Sequence, residues 1–281
     1  MRTHYILVTG ANQGIGYGIV RRLCNEHPDW TIYGTSRSAA NGEEAAKKLQ
    51  SEGLKAEFLE ADLTKPETFA AVKEKLTKDH GGLDILINNA GMAFKNASTD
   101  PYAVKAEVTL ATNVFGTNMV CDTLFPILKD GARVVVLSSM RAPMSLHKVK
   151  KLNPERYASF IKNDPPLTRT EVLQAMTDFV SAVKAGDFAE KGWPDDEAYS
   201  VSKLGDTLLA RAYQQEFNSV SERDIVVNAA CPGYVMTSMS SHKGHLTIDE
   251  GADTPYYLAV LPPNTEIRGQ HVSKRQIVKW E

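Results

Sequence analysis

Thr9-Gly10-Ala11-Asn12-Gln13-Gly14-Ile15-Gly16 follows the apolar run Tyr5-Ile6-Leu7-Val8 without a break and leads into a helical pattern. Three glycines in eight residues permit a tight turn and close approach of backbone to a bound anion. The N-terminal N–H groups of the helix behind them would point at that charge. The spacing is not GxGxxG, and a plain structural turn reads the same in isolation. The rest of the chain decides between the two. Short apolar runs at residues 5–9, 31–35, 55–60, 85–88, 133–138 and 225–230 alternate with longer helix-like segments. Runs such as Val134-Val135-Val136-Leu137 do not alternate polar with apolar, as expected of strands covered on both faces. Strand and helix in alternation predict right-handed crossovers and an α/β, doubly wound parallel sheet. Ligands of such sheets sit beyond the carboxyl ends of the strands, so the functional motifs should follow strands. They do.

Helix starts are legible as well. Thr64-Lys65-Pro66-Glu67 and Thr168-Arg169-Thr170-Glu171 both carry Thr and Glu at capping-box spacing. Composition sets the outer limits. The 281 residues are 42% hydrophobic and 23% charged, with a formal net charge of -2. That describes a soluble chain with a sizeable core and gives no reason to expect a nucleic-acid partner. The basic cluster at 147–151 reads as a solvated loop. Cys24, Cys121 and Cys231 are too few and too scattered for a disulfide framework or a zinc site, so a reducing compartment is expected. No apolar run approaches a membrane span, and the early glycine turn leaves no room for a presequence. The Asn96-Ala97-Ser98 sequon would matter only in a secreted protein. No metal is expected, since His242 and His245 lack a third ligand.

The second strand bears on the choice of cofactor. A chain that binds NAD usually carries an acidic residue there, which accepts from the adenosine ribose. Here the strand ends Thr35-Ser36-Arg37, with no carboxylate to repel a 2′-phosphate and a guanidinium to bind it. One surface arginine is commonplace, but this position after strand two points to NADPH.

With these motifs in hand the chain resembles the short-chain dehydrogenase/reductase superfamily, whose fold is of the Rossmann type. The resemblance implies cofactor contacts at Gly10, Asn12, Gln13, Gly14, Ile15 and Gly16, and at Arg37. It places Asp62-Leu63 beside the adenine and Asn88-Asn89-Ala90-Gly91 along the cofactor. Pro232-Gly233-Tyr234-Val235-Met236-Thr237 falls at the nicotinamide amide, with Pro232, Gly233, Val235 and Thr237 as the contacts. Each fragment alone is a turn. Five in the right order, each after a predicted strand, are not coincidence.

Tyr199 and Lys203 are four apart, on one face of a helix. Reduction of a carbonyl needs an acid for the forming alkoxide, and a free phenol has a pKa of about 10. A nearby ammonium stabilises phenolate and brings that value toward the working pH. Lys203 would also hydrogen-bond the nicotinamide ribose. YxxxK alone is common on surface helices, so the partners matter. Ser139, at the end of the fifth strand, is placed to polarise a carbonyl. Asn113 lies in a helical segment (110–122), where the resemblance implies that it shapes the helix and completes a water relay to Lys203.

Between Ser139 and Tyr199 lie 59 residues, where a strand-to-helix connection normally takes about 2–6. Val172, Met176, Phe179, Val180 and Val183 recur at helical spacing, and a shorter helix is predicted over 154–162. This insertion (about 141–195) in a single domain of residues 1–281 is similar to that of the monomeric NADPH carbonyl reductases of animals. So are Gly192-Trp193-Pro194, Gly81-Gly82-Leu83-Asp84, Ala93-Phe94-Lys95, Ala106-Glu107-Val108-Thr109 and Leu261-Pro262-Pro263. The similarity runs along essentially the whole chain. It implies a cytoplasmic monomer, its pairing face blocked by the added helix. It also implies reduction of aldehydes, ketones and quinones, with a steroid or prostaglandin dehydrogenase and a non-catalytic NADPH sensor as the competing readings. Substrate contacts are expected at Phe94, Ser139, Met140, Trp193 and Tyr234, with Met144 and Met236 further candidates. The run 238–245 reads as a mobile substrate loop, and Lys95 and Lys105 as attractors of anionic carbonyls.

Three positions depart from the family pattern. Gln13 replaces a usual lysine, Tyr234 a usual tryptophan, and Cys231 sits beside the Pro-Gly motif, where a reactive thiol competes with a simply buried one.

Overall fold

In a computed structural model that describes residues 3–95, 97–195 and 198–279, Ile6 and Val8 pack on one face of a sheet and Leu7 on the other. Val134 and Val136 side with Leu7, whereas Val135 and Leu137 side with Ile6. Each strand thus supplies two cores by its two-residue period, which is why the runs are apolar throughout. The strands are β1 (Tyr5–Val8), β2 (Thr31–Ser36), β3 (Glu57–Glu60), β4 (Leu83–Asn88), β5 (Leu128–Leu137), β6 (Val226–Cys231), β7 (His271–Ser273) and β8 (Gln276–Ile277). They lie in the order β3-β2-β1-β4-β5-β6-β7-β8. All neighbours run parallel except β7 and β8. The parallel, doubly wound sheet expected from sequence is observed, with one antiparallel pair at its edge, where a turn through Lys274 and Arg275, both at positive φ, reverses the chain. The order of strands reverses between β1 and β4, which opens a crevice at their carboxyl ends.

Helices α1 (Gly14–Glu26), α2 (Ala39–Ser51), α3 (Pro66–His80), α4 (Tyr102–Leu110) and α5 (Thr117–Leu124) precede β5. After it come α6 (Arg141–Leu152), α7 (Pro154–Ile161), α8 (Arg169–Ala185), α9 (Ala198–Asn218) and α10 (Ile248–Ala259). The expected insertion is α6, α7 and α8. Thr168 and Glu171 form a complete capping box, worth about 1 kcal/mol. Full burial of Val172, Met176 and Phe179 contributes about 1.5–3 kcal/mol each, so packing rather than the cap holds α8 down. It packs on α9, where a Cβ on Gly205 would lie 2.8 Å from Met176 Sδ. The second expected box fails: α3 starts after Lys65 with no side-chain cap. Thr64 instead donates its hydroxyl to Asp62 Oδ1 at 2.8 Å. The sequon's Asn96 lies outside the described residues.

Candidate active site

Thr9 closes the crevice from below. Its Oγ1 accepts from the backbone of Asn89 (3.0 Å) and Ala90 (2.9 Å). The Asn89 Nδ2 donates back to the carbonyls of Thr9 (2.9 Å) and Gly10 (3.0 Å). From the other side, Thr35 Oγ1 accepts from Gly10 N and its carbonyl from Ala11 N. The loop is thus fixed between β2 and β4, and its glycines are required. Gly10 has φ +60, and a Cβ there would lie 2.9 Å from Ala90, while one on Gly16 would lie 2.4 Å from Asn89 Nδ2. At the start of α1, Gln13 makes no side-chain cap and the first turn holds no acid. The helix therefore presents uncapped N–H groups and its positive end to the crevice, as an anion requires. Asn12 and Ile15 are half-buried in this loop.

Arg37 is exposed just past β2. Asp62 accepts from Thr64 N (2.9 Å) as well as from its hydroxyl. Burial works against its charge, yet these bonds, with Arg37 and Lys65 nearby, hold the carboxyl below its usual range. The Leu63 side chain packs inward, 2.9 Å from where a Cβ on Gly116 would sit. The crevice residues fit a dinucleotide: a glycine cradle, an uncapped helix start, and an exposed guanidinium at the end of β2.

Ser139, Tyr199, Lys203 and Asn113 come together beside that cradle. Ser139 follows β5, and its hydroxyl acts on the phenol of Tyr199, favouring release of the proton. Lys203 Nζ lies 5.8 Å from the Tyr199 ring centre and donates to the Leu137 carbonyl at 2.8 Å. A Cβ on Gly91 would lie 3.2 Å from Asn113 Oδ1 and 3.7 Å from Lys203 Nζ, so the loop after β4 adjoins both. The predicted helix through Asn113 is broken into α4, a π-helical turn (Ala111–Gly116) and α5. Within it the Asn113 side chain grips the Met92 backbone from both ends, Oδ1 accepting at 2.8 Å and Nδ2 donating at 2.9 Å. The same Nδ2 reaches Ser202 Oγ on α9 at 3.0 Å.

Electrostatics here differ from expectation. Burial pushes the Tyr199 phenol above its ordinary value and outweighs the downward pull of Lys203. A residue that sequence reasoning missed adds to the effect of burial by opposing Lys203. Asp206, 1% exposed, accepts from Lys203 Nζ at 2.8 Å. Burial alone would lower the Lys203 ammonium, but this carboxylate and Tyr199 raise it. Burial likewise pushes Asp206 up to about 6, against the pull of Lys203. The signal was available: Asp206 is the one acid in Leu204-Gly205-Asp206-Thr207-Leu208-Leu209-Ala210, a stretch that is buried throughout.

On the substrate side, Met140 and Tyr234 are exposed, as are Met144 and Met236, and Phe94 is half-buried. Trp193 is a correction. It is 1% exposed, meets Phe179 edge-on at 5.2 Å and carries the Arg156 guanidinium over its face. It is core, not pocket. The run 238–245 is tied back on the strand end, His242 N to the Thr237 carbonyl and His245 N to that of Tyr234. Lys95 donates to the Ser238 carbonyl and Lys105 to that of Ser98. Cys231 is buried, accepting from Gly233 N through sulfur. A Cβ on Gly14 would lie 3.5 Å from Thr237 Cγ2, which brings the Pro232 to Thr237 segment, with Pro232, Gly233 and Val235, over the glycine cradle.

Comparison with known proteins identifies the family. The short chain dehydrogenase family matches residues 4–150. Carbonyl reductase [NADPH] 1 of Rattus norvegicus is 42% identical over 98% of this chain and 97% of its own. The Homo sapiens protein of that name is 40% identical over 99% and 98%. Among solved structures, salutaridine reductase of Papaver somniferum superposes with a TM-score of 0.83 at 26% identity, covering 96% of this chain and 99% of that one. A menthone neomenthol reductase of Mentha piperita gives 0.80 at 25%, covering 98% and 100%. The chain belongs to the short-chain dehydrogenase/reductase family.

Proposed function

We propose that this protein reduces aldehydes, ketones and quinones with NADPH, and that Tyr199 is the proton donor. The observation that carries the reading is the junction of Ser139, Tyr199 and Lys203 with a glycine cradle at one end of the sheet. Whole-length likeness to proteins named carbonyl reductase [NADPH] supports both reaction and cofactor. The N–H groups at the start of α1, with Gly10, Gly14 and Gly16, hold the pyrophosphate. Arg37 binds the 2′-phosphate by charge-assisted hydrogen bonds. Asn89, Ala90 and Gly91 line the ribose side and the Pro232 to Thr237 segment the nicotinamide side. When bound, NADPH supplies the hydride that the carbonyl carbon accepts.

The remaining chemistry is the chain's own. Ser139 donates to the carbonyl oxygen and holds it beside the Tyr199 hydroxyl. As negative charge grows on that oxygen, Tyr199 hands over its proton, and Lys203 stabilises the phenolate left behind. An ammonium has three donors. Two of those of Lys203 go to Leu137 and Asp206, and the third is left for the nicotinamide ribose. Asn113 holds the loop after β4 to α9 through Met92 and Ser202, which keeps Lys203 in register. Met140 and Tyr234, both exposed, and the half-buried Phe94 offer adaptable apolar surface suited to varied substrates.

Because α8 covers α9 and α4, the face beside the active site is occupied within one chain, and we assign a monomer. A light-scattering mass of a dimer at micromolar protein would overturn that assignment. None of the described helices is long and apolar enough to cross a membrane. Three buried free cysteines suit a reducing cytoplasm. The direct test offers NADPH or NADH with a quinone, an aromatic aldehyde and a ketosteroid, following cofactor oxidation. Turnover of the first two with NADPH is expected. Turnover of the steroid alone would replace the reading with a dedicated dehydrogenase, and tight NADPH binding without turnover would mean a sensor.

A further inference from the structure

We propose that Asp206 is a positioning residue of this site, which holds the Lys203 ammonium at the Leu137 carbonyl and offsets its charge, so that Tyr199 keeps its proton for carbonyl reduction. This rests on the reductase reading above. The carboxylate lies three residues beyond Lys203 on α9 and is as buried as the core around it. Its Oδ2 accepts from Nζ at 2.8 Å, while Oδ1 is buried with no hydrogen-bond partner among the described residues. A buried carboxylate with half of its acceptor capacity unmet is costly. An apolar side chain in the same volume would leave the buried Lys203 ammonium without a counter-charge, so the acid is tied to the charge of Lys203.

The surroundings leave few other charges to consider. From α9 itself come Tyr199, Lys203 and Asp206. Cys231 at the end of β6 also acts on Tyr199 and Lys203. β5 contributes only the Leu137 carbonyl and the Ser138 hydroxyl, which bonds the Lys203 carbonyl and Thr207. The π-helical turn contributes the neutral Asn113. Burial is the largest influence on how firmly Tyr199 holds its proton, and two opposite charges adjust it. Lys203 favours phenolate and Asp206 opposes it. Burial raises the acid to about 6, while the Lys203 ammonium 2.8 Å away favours its charged form.

Asp206→Asn keeps the shape and the acceptor oxygen but removes the charge. Ultraviolet tyrosinate titration of the full-length protein, with the Tyr199→Phe curve subtracted in each background, reads Tyr199 alone and needs no substrate. We expect Asp206→Asn to lower the midpoint, with on the order of tenfold more phenolate at a given alkaline pH. The alkaline limb of kcat/KM for carbonyl reduction and the acid limb of alcohol oxidation should move down with it. Asp206→Glu, which retains the charge, should leave the midpoint in place. An unmoved midpoint in folded Asp206→Asn overturns the proposal, and so does a lowered one in Asp206→Glu. Absence of carbonyl turnover in the wild type would defeat the reductase reading instead, and the titration would still decide the role of Asp206.

Discussion

The side-chain nitrogen of Asn89 lies 2.9 Å from the carbonyl oxygen of Thr9, which ties the loop after β4 to the loop after β1 across the point where strand order reverses. Gly16 stands against this tie, since a Cβ there would lie 2.4 Å from that nitrogen and 2.6 Å from the Gly10 carbonyl. In an ordinary helix Gly→Ala gains about 1 kcal/mol. Here Gly16→Ala should instead cost about 1–3 kcal/mol by overpacking and weaken NADPH binding more than tenfold. Thermal unfolding and a cofactor fluorescence titration check both, and a stabilised variant with unchanged affinity would show that the cradle tolerates the methyl group.

Arg37→Asp replaces the guanidinium after β2 by a like charge to the 2′-phosphate. A hydrogen bond to a charged group contributes about 1.5–3 kcal/mol, so KM for NADPH should rise roughly 10- to 100-fold. KM for NADH should change little. Steady-state kinetics with both cofactors tests this, and an unchanged ratio of efficiencies would remove Arg37 from the site.

His271 on β7 supplies a pH dependence far from the chemistry. Burial lowers its imidazole to about 4, from 6.5. Between those values the unfolded chain takes up a proton that the folded protein refuses, so stability falls as the pH drops through this window and is fully retained above it. The total is about 3 kcal/mol. His271→Asn should flatten that slope, so its melting temperature should fall less than that of the wild type between neutral pH and about pH 5. Parallel melting curves for the two proteins would contradict the assignment.

Much of this was legible because the sheet is covered on both faces and its functional turns follow strands. β1, β2, β4, β6 and the second half of β5 announce themselves as largely apolar runs, and the glycine loop and Ser139 follow strands as those runs predict. β7 and β8 are three and two residues long, too short for periodicity to register. The first half of β5 contains Gly131 at φ +79 and so reads as a turn. Trp193 was misplaced because nearness to Tyr199 in sequence says nothing of depth, which Phe160 and Phe179 of the insertion decide. The π-helical turn at Asn113 depends on a grip on Met92 across 21 positions. Asp206 was overlooked because a helical acid is usually solvated, and only packing by α6, α8 and β6 makes it a buried partner of Lys203.

The central claim is that Tyr199 gives the proton and does not merely shape the pocket. Tyr199→Phe removes only the hydroxyl, so NADPH affinity and melting temperature should stay near wild type while kcat for quinone or aldehyde reduction falls by a factor of at least about 10²–10⁴. A variant that binds NADPH normally and still turns over these substrates within tenfold of the wild-type rate would contradict the account.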